Sequence, residues 1–320
     1  MMQIISRKKI WFTISIILVC LSVASLLVWG LNLGIDFKGG SLIRLKFNQI
    51  SLNKEQIKEA IYDPQKQEDK ELMEEKITSL SIQPISENQK IIKLNSIDEV
   101  THQKVLELIR KKAAELNNNQ GQGGELVEEI KFDSIGPSIG KELREKSKNA
   151  VIFVLIAIIL YVAWAFKKVS SDLSKYESFR YGIVAIIALI HDILITLGLF
   201  SVLGNFKGVE IDIFFIAALL TILGYSVNDT IIVFDRIREN VLKEGSQDFP
   251  NLVNKSVNEI LVRSINTSVT TLLVLFCILI LGGYSTFYFV LALIIGIISG
   301  TYSSIFLASP LLVFWKQKRT

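Results

Sequence analysis

The sequence predicts an α-helical polytopic membrane protein with six transmembrane helices and a small α+β, ferredoxin-like external domain. Three observations carry this prediction. Half of the 320 residues are hydrophobic, and they concentrate in runs of about 20, the length an α-helix needs to cross a bilayer. Lysine and arginine gather in alternate connections between those runs. The one long connection, Gly30–Asn149, replaces the runs with short alternating and helix-periodic segments.

The first run, Ile10–Trp29, follows Arg7-Lys8-Lys9 and has no small-x-small cleavage site, so it is expected to be a retained anchor. Residues 1–29 form the cytoplasmic N-terminus and first span, and 30–149 the external domain. Residues 150–315 hold five further spans, and 316–320 a cytoplasmic tail. The later runs are Ala150–Phe166, Gly182–Leu203, Ile211–Phe234, Arg263–Gly282 and Tyr288–Trp315. Arg7, Lys8 and Lys9, then Lys167 to Arg180, then Arg236 to Arg263, then Lys316 to Arg319 fall on one side of a six-span path. The opposite connections, Gly204–Glu210 and Gly283–Phe287, carry one lysine and none. Both termini are therefore expected inside, on the cytoplasmic face of the membrane.

Within the external segment, Leu42–Phe47 alternates like a half-buried strand, and Ser51–Tyr62 has helical spacing at Ile57, Ala60 and Ile61. Ile77–Ile85 and Lys90–Leu94 predict two strands. Ile97–Leu116 predicts an amphipathic helix, and Gly124–Phe132 a last strand. This βαββαβ order is the ferredoxin-like plan. Asp63–Lys76, highly charged, and Asn117–Gly124, polar and Gly-rich, are expected to be mobile loops.

Composition excludes several functions. The net charge of +4 lies mostly in short loops, with no basic patch interleaved with aromatics, so no nucleic-acid partner is expected. Cys20 and Cys277 sit inside apolar runs and match no metal spacing. There is no GxxxxGK[ST] loop. No cofactor, metal or catalytic residue is expected, only the proton as coupling ion.

The chemistry points to carboxylates in apolar runs. Asp229 lies in Gly224–Asn240 beside Asn228, and Asp192 follows His191 in the third run. A charge at the bilayer centre costs about 2.5–3.5 kcal/mol on insertion scales, so such residues normally face a partner, a cavity or an ion path. The fifth run is short unless it extends back to Ser264 and Arg263, which puts Arg263 near the depth of Asp229. An Asp229–Arg263 pair would lower the burial cost of both, and its release would let Asp229 take a proton. A static pair, or an Arg263 that snorkels to headgroups, stays open. Asp192 is equally readable as packing glue bonded to Asn228 or Thr196. Thr267, Ser268 and Thr271 make the fifth run hydroxylated, able to glue helices or line a proton route. Gly296, Gly300, Ser304 and Ala308 repeat every four residues as a close-packing face, and Ala217, Thr221, Gly224 and Asn228 form a similar stripe.

Six segments in order resemble the SecD/SecF family of the resistance-nodulation-division superfamily. They are Gly34-Ile-Asp-Phe-Lys-Gly-Gly40, Ser134–Leu143, Ile190-His-Asp192, Gly224–Asn240, Val262–Leu273 and Gly300–Pro310. Ser264 stands where many members are expected to carry threonine. The resemblance implies a transport accessory rather than an enzyme. It would work with SecD beside the SecYEG channel, with YajC and YidC as further partners and unfolded preproteins as substrate. It would use the proton motive force without ATP to assist late translocation. The fourth-span aspartate and fifth-span arginine that the family implicates in proton flow fall on Asp229 and Arg263. One six-span unit is half of such a transporter, so the carboxylates are expected to face a second half. A proton-coupled exporter of small molecules or lipids, an intramembrane aspartyl protease using Asp192 and Asp229, and a purely structural scaffold are the competing readings.

Overall fold

A computed structural model of the protein describes residues 2–48, 50–63, 67–117, 126–167, 175–245 and 247–317. It divides into two compact units. Leu33–Lys146 is one; Met1–Asn32 with Ser147–Thr320 is the other.

The first unit is built on strands β1 (Gly40–Phe47), β2 (Leu80–Ser86), β3 (Gln89–Leu94) and β4 (Val127–Ile135). They form one antiparallel sheet in the order β2-β3-β1-β4. Ile43, Leu45 and Phe47 of β1 are fully buried while Leu42, Arg44 and Lys46 are not, as the period of two requires. Two helices supply the other side of the core: Lys54–Tyr62 through Ile57 and Ile61, and Glu99–Leu116 through Val105 and Ile109. Each starts where a side chain caps it. Asn53 and Gln56 form a reciprocal capping box, and the Asp98 carboxylate accepts from the Thr101 amide.

Two expectations need correction. Gln67–Lys76, placed in a mobile loop, is a helix, because Met73 and Ile77 are buried in the same core and their spacing gives the charged segment an apolar side. The last strand runs three residues later than expected at each end; its register with β1 continues to Gly40 opposite Ile135. The register shifts between Arg44 and Leu45, leaving Ile130 unpaired on β4 as a bulge. Residues 118–124 of the second expected loop lie outside the described residues. Gly39 has φ +78°, and a Cβ there would sit 2.8 Å from Pro137 Cα. The diglycine motif and the Gly-Pro motif of the sequence thus meet where only glycine fits.

The second unit is helical. Numbering its helices by themselves, α1 is Lys8–Trp29, α2 Pro137–Lys167 (in this unit from Ser147 on), α3 Lys175–Lys207, α4 Ile213–Glu244, α5 Phe249–Leu281, α6 Tyr284–Tyr302 and α7 Ser309–Gln317. A π-helical segment, Ser303–Ala308, joins α6 to α7. Among the described residues, five stretches are long and apolar enough to cross a membrane: α1, Arg180–Lys207, α4, α5, and Tyr284–Lys316 taken as one. The second apolar run lies inside α2, a 31-residue helix whose first half is charged.

Several helices outrun their apolar cores. Beyond its run, α4 continues to Glu244, and α5 begins 14 residues before Arg263. Ion pairs hold these extensions: Arg236 with Glu239 (2.5 Å) and Glu259 (2.6 Å), Lys243 with Glu239 (2.6 Å), and Lys255 with Glu244. Close approach is set by small residues. A Cβ on Gly198 of α3 would lie 2.3 Å from Ser22 Cβ of α1, and one on Gly296 of α6 would lie 2.3 Å from the Ile222 side chain of α4.

Candidate functional site: two hydroxyl-lined carboxylates

The closeness of α6 to α4 brings serines onto both intramembrane aspartates. Asp192 of α3 is completely buried, and Asp229 of α4 is 8% exposed. On Asp192, Oδ1 faces His191 Nδ1 (2.9 Å) and accepts from Ser299 Oγ (2.9 Å). Its Oδ2 accepts from Ser226 Oγ (2.5 Å) and Ser303 Oγ (2.8 Å). On Asp229, Oδ1 accepts from Ser264 Oγ of α5 (2.6 Å) and Oδ2 from Ser304 Oγ (2.6 Å). Both carboxylates are thus solvated by hydroxyls in place of water, with no lysine or arginine among the described residues paired to either.

The local structure explains the arrangement. Ser299 and Ser303 lie four apart and share a helix face, so both reach one carboxylate. Ser304, the next residue, points about 100° further round and reaches the other. Both stand at the start of the π segment. Pro310 gives a cause for it, since it has no N–H to offer the Phe306 carbonyl four residues back. Such widened turns recur at functional sites. A second hydroxyl chain runs beside Asp229: Tyr225 OH donates to Ser268 Oγ (3.2 Å), and Ser268 shares a 2.6 Å bond with Thr301 Oγ1. His191 Nε2 is buried without a hydrogen-bond partner, its ring 6.1 Å from that of Tyr302.

Several sequence expectations are overturned here. Asp229 and Arg263 do not pair. Ser264 occupies the side of α5 facing Asp229, and Arg263, one residue earlier and so about 100° round the helix, is exposed. Asn228 is likewise turned out and exposed, and does not bond Asp192; Thr196 uses its hydroxyl on the Asp192 carbonyl, not the carboxylate. Thr267 is exposed and bonds the Arg263 carbonyl, while Thr271 bonds the Thr267 carbonyl, so neither joins a route to the aspartates. The stripe Ala217, Thr221, Gly224 and Asn228 is exposed instead of packed. The carboxylates face inward to α6 and the π segment, not outward. Ser268, Gly296, Gly300 and Ser304 are buried where a close-packed face requires them. Sequence reasoning missed Ser226, Ser299 and Ser303. Their signal was present: three hydroxyls in apolar runs, two of them four apart, and one three residues before Asp229.

The fold and site define a multi-pass membrane protein that keeps two carboxylates inside its own helix bundle, held by hydroxyls. A family model described as "Protein export membrane protein SecD/SecF, C-terminal" matches residues 115–318, and one for the SecD/SecF GG motif matches residues 24–49. The chain belongs to the SecD/SecF family and is a Sec-pathway protein-export subunit. It is 38% identical to the protein translocase subunit SecF of Thermobaculum terrenum, over 99% of this chain and 95% of that one. It is 35% identical to that of Anaerolinea thermophila, over the same shares. Its structure is similar to the crystal structure of SecDF, a translocon-associated membrane protein from Thermus thermophilus, with TM-score 0.75 and 32% identity. That match covers 98% of this chain but 38% of the SecDF chain, so this protein spans less than two-fifths of it.

Proposed function

We propose that this protein works with SecD at the SecYEG channel and uses the proton motive force, without ATP, to assist late translocation of unfolded preproteins. YajC and YidC are further expected neighbours. The observation that carries the reading is the pair of buried carboxylates lined by serine hydroxyls, with His191 as a further partner of Asp192. A permanent ion pair would hold its charge; a hydroxyl can donate to a carboxylate and accept from a carboxylic acid, so the site accommodates both protonation states. Asp229 is the coupling residue. Arg263 sits on the exposed side of α5 and Asn228 on the exposed side of α4. An exposed arginine on a membrane helix is costly against lipid. That face, with Thr221 and Gly224, therefore suits a second helical half, which the SecDF match also suggests. Arg263 then acts from the interface instead of as a standing partner of Asp229.

In the same reading α2 is the sixth span, both termini lie inside and Leu33–Lys146 outside. The sheet unit is ferredoxin-like, since its strands run in the order β2-β3-β1-β4 with helices after β1 and after β3. A cysteine placed at Asn118 that labels only after permeabilisation would reverse this topology.

The test of function is Asp229→Asn in the reconstituted complex. Export is expected to continue at its ATP-driven rate and to lose its response to the proton gradient. A proton crossing about 150 mV supplies roughly 3.5 kcal/mol, so many cycles per preprotein are required. Export with an undiminished gradient response would remove Asp229 from the mechanism. Drug sensitivity of a deletion strain with normal export would favour the exporter reading. The protease reading is disfavoured by the structure, because the two aspartates bond separate hydroxyl sets rather than each other.

A further inference from the structure

Five serines touch the two carboxylates, and they differ in what else they can do. Ser226, Ser264 and Ser299 bond only the carboxylates among the described contacts. Ser303 and Ser304 each have a second acceptor. Ser303 Oγ lies 2.8 Å from Asp192 Oδ2 and 3.2 Å from the Gly300 carbonyl. Ser304 Oγ lies 2.6 Å from Asp229 Oδ2 and 3.1 Å from the Thr301 carbonyl. A hydroxyl has one hydrogen, so each can satisfy only one of its acceptors at a time.

We propose that Ser303 and Ser304 are positioning residues for proton uptake, each reversing its hydroxyl when its aspartate changes protonation state. With Asp229 ionised, Ser304 donates to Oδ2. When a proton from solvent binds Oδ2, the new carboxylic O–H donates to Ser304 Oγ. The serine hydrogen swings to the Thr301 carbonyl, and Ser264 still donates to Oδ1. Ser303 does the same between Asp192 and Gly300. One proton is gained at the carboxylate, each serine keeps its own, and neither the serine hydroxyl nor the carboxyl oxygen it faces is left unpaired in either state. Without the second acceptor, protonation would set two donors against each other in a buried site, where unpaired groups are costly.

Adjacency adds a consequence. Ser303 and Ser304 are neighbours in the π segment, so a hydroxyl reversal at one carboxylate acts on the backbone that positions the hydroxyl at the other. The titratable groups around the pair are His191 and Asp192 on α3, Asp229 and Tyr225 on α4, and Tyr302 at the end of α6. The side of α5 that faces them presents Ser264 and Ser268, with Arg263 turned away.

This inference rests on the proton-coupling reading above, and infrared difference spectroscopy of the full-length purified chain across a pH series separates the two. The C=O stretch of protonated Asp229 is the band that disappears in Asp229→Asn. Ser304→Ala is expected to move the pH midpoint of that band by about one unit, a tenfold change in proton affinity. Ser304→Thr, which keeps a hydroxyl, is expected to titrate as the wild type does. Ser303→Ala is expected to move the band lost in Asp192→Asn. Thermal unfolding of each variant shows whether it is folded, and Ser304→Cys serves should Ser304→Ala fail. Folded Ser304→Ala with a wild-type midpoint would overturn the hydroxyl reversal while leaving proton coupling intact. No titrating band sensitive to Asp229→Asn would overturn both.

Discussion

The two units surround their buried ionisable groups with different partners. In the sheet unit a buried ring is clamped by charge. His102 Nδ1 faces Glu99 Oε1 at 3.3 Å, its Nε2 faces Glu129 Oε1 at 3.0 Å, and its ring stacks on Phe132 at 3.7 Å. In the membrane unit Asp192 and Asp229 have no lysine or arginine partner among the described residues; serines hold both, and Asp192 also faces His191 Nδ1 at 2.9 Å. Carboxylates on both ring nitrogens fix the orientation of the imidazole between them. A ring of hydroxyls tolerates a carboxylate in either protonation form. The difference lies in partner chemistry, not in the depth of burial: His102 and Asp192 are both buried, the one a ring between two carboxylates, the other a carboxylate among three serines and one ring.

Removing a carboxylate should break this comparison most visibly. Asp192→Ala strands Ser226 and Ser299 in a buried site and deprives His191 of its partner, whereas Ser303 can fall back on Gly300. At about 1–3 kcal/mol for each stranded group, the loss is expected to be about 3 kcal/mol or more. Asp229→Ala strands only Ser264, since Ser304 has Thr301, and about a third of that loss is expected. Thermal unfolding of both variants in detergent measures it. Equal melting temperatures would mean that hydroxyl count does not set the stability of these sites.

In the sheet unit the matching change is His102→Ala. It removes a stacked ring and leaves Glu129 without its imidazole, at an expected cost of about 2–3 kcal/mol. Pulse proteolysis of the full chain, followed on fragments from Leu33–Lys146, reads the loss. Stability unchanged to within about 0.5 kcal/mol would show that the clamp is decoration on a core held by Ile43, Leu45 and Ile109.

How far these arrangements were legible in the sequence follows from their range. Alternation in Leu42–Phe47 and the helical spacing of Ile97–Leu116 report on one element each, and both elements are where the sequence placed them. Gln67–Lys76 was misread because its buried residue, Met73, and the buried Ile77 that follows it are outvoted by charges that occupy its wet side. The aspartates were found because charge in an apolar run is conspicuous, but their partners depended on helix rotation. Ser264 and Arg263 are adjacent in sequence, and a sequence offers no reason to prefer the serine over the opposite charge. Only the close packing of α4 on α6, through Gly296 and Gly300, decides that Ser299, Ser303 and Ser304 come within reach.

That packing can be tested directly. Gly296→Ala places a methyl where the Ile222 side chain now lies 2.3 Å away. Overpacking of this kind costs about 1–3 kcal/mol, and the lower end is expected because a side chain rather than backbone must yield. Gly296→Ala with Ile222→Ala should recover part of the loss. Failure of the second change to recover any of it would place the strain elsewhere than between α4 and α6.

The smallest expected effect concerns Lys90, where the sheet unit departs from its own habit. Its ammonium donates to Ser51 Oγ at 2.9 Å and sits 5.0 Å from the Phe47 ring centre, with no carboxylate among the described residues bonded to it. Burial lowers its pKa from the usual 10.5. In the unfolded chain the same lysine titrates near the ordinary value, so between the lowered value and 10.5 the unfolded state binds more protons. Stability must therefore rise with pH across that window, and the cost of the buried charge is fully present below it. Lys90→Met keeps most of the stem packing and removes the charge. It is expected to leave neutral-pH stability equal or slightly raised and to flatten the alkaline rise, as read by pulse proteolysis from neutral pH to about 10.5. An alkaline rise that survives in Lys90→Met would belong to another group. Lys90 would then have to be counted as solvated, and the sheet unit would hold no buried charge that lacks an opposite one.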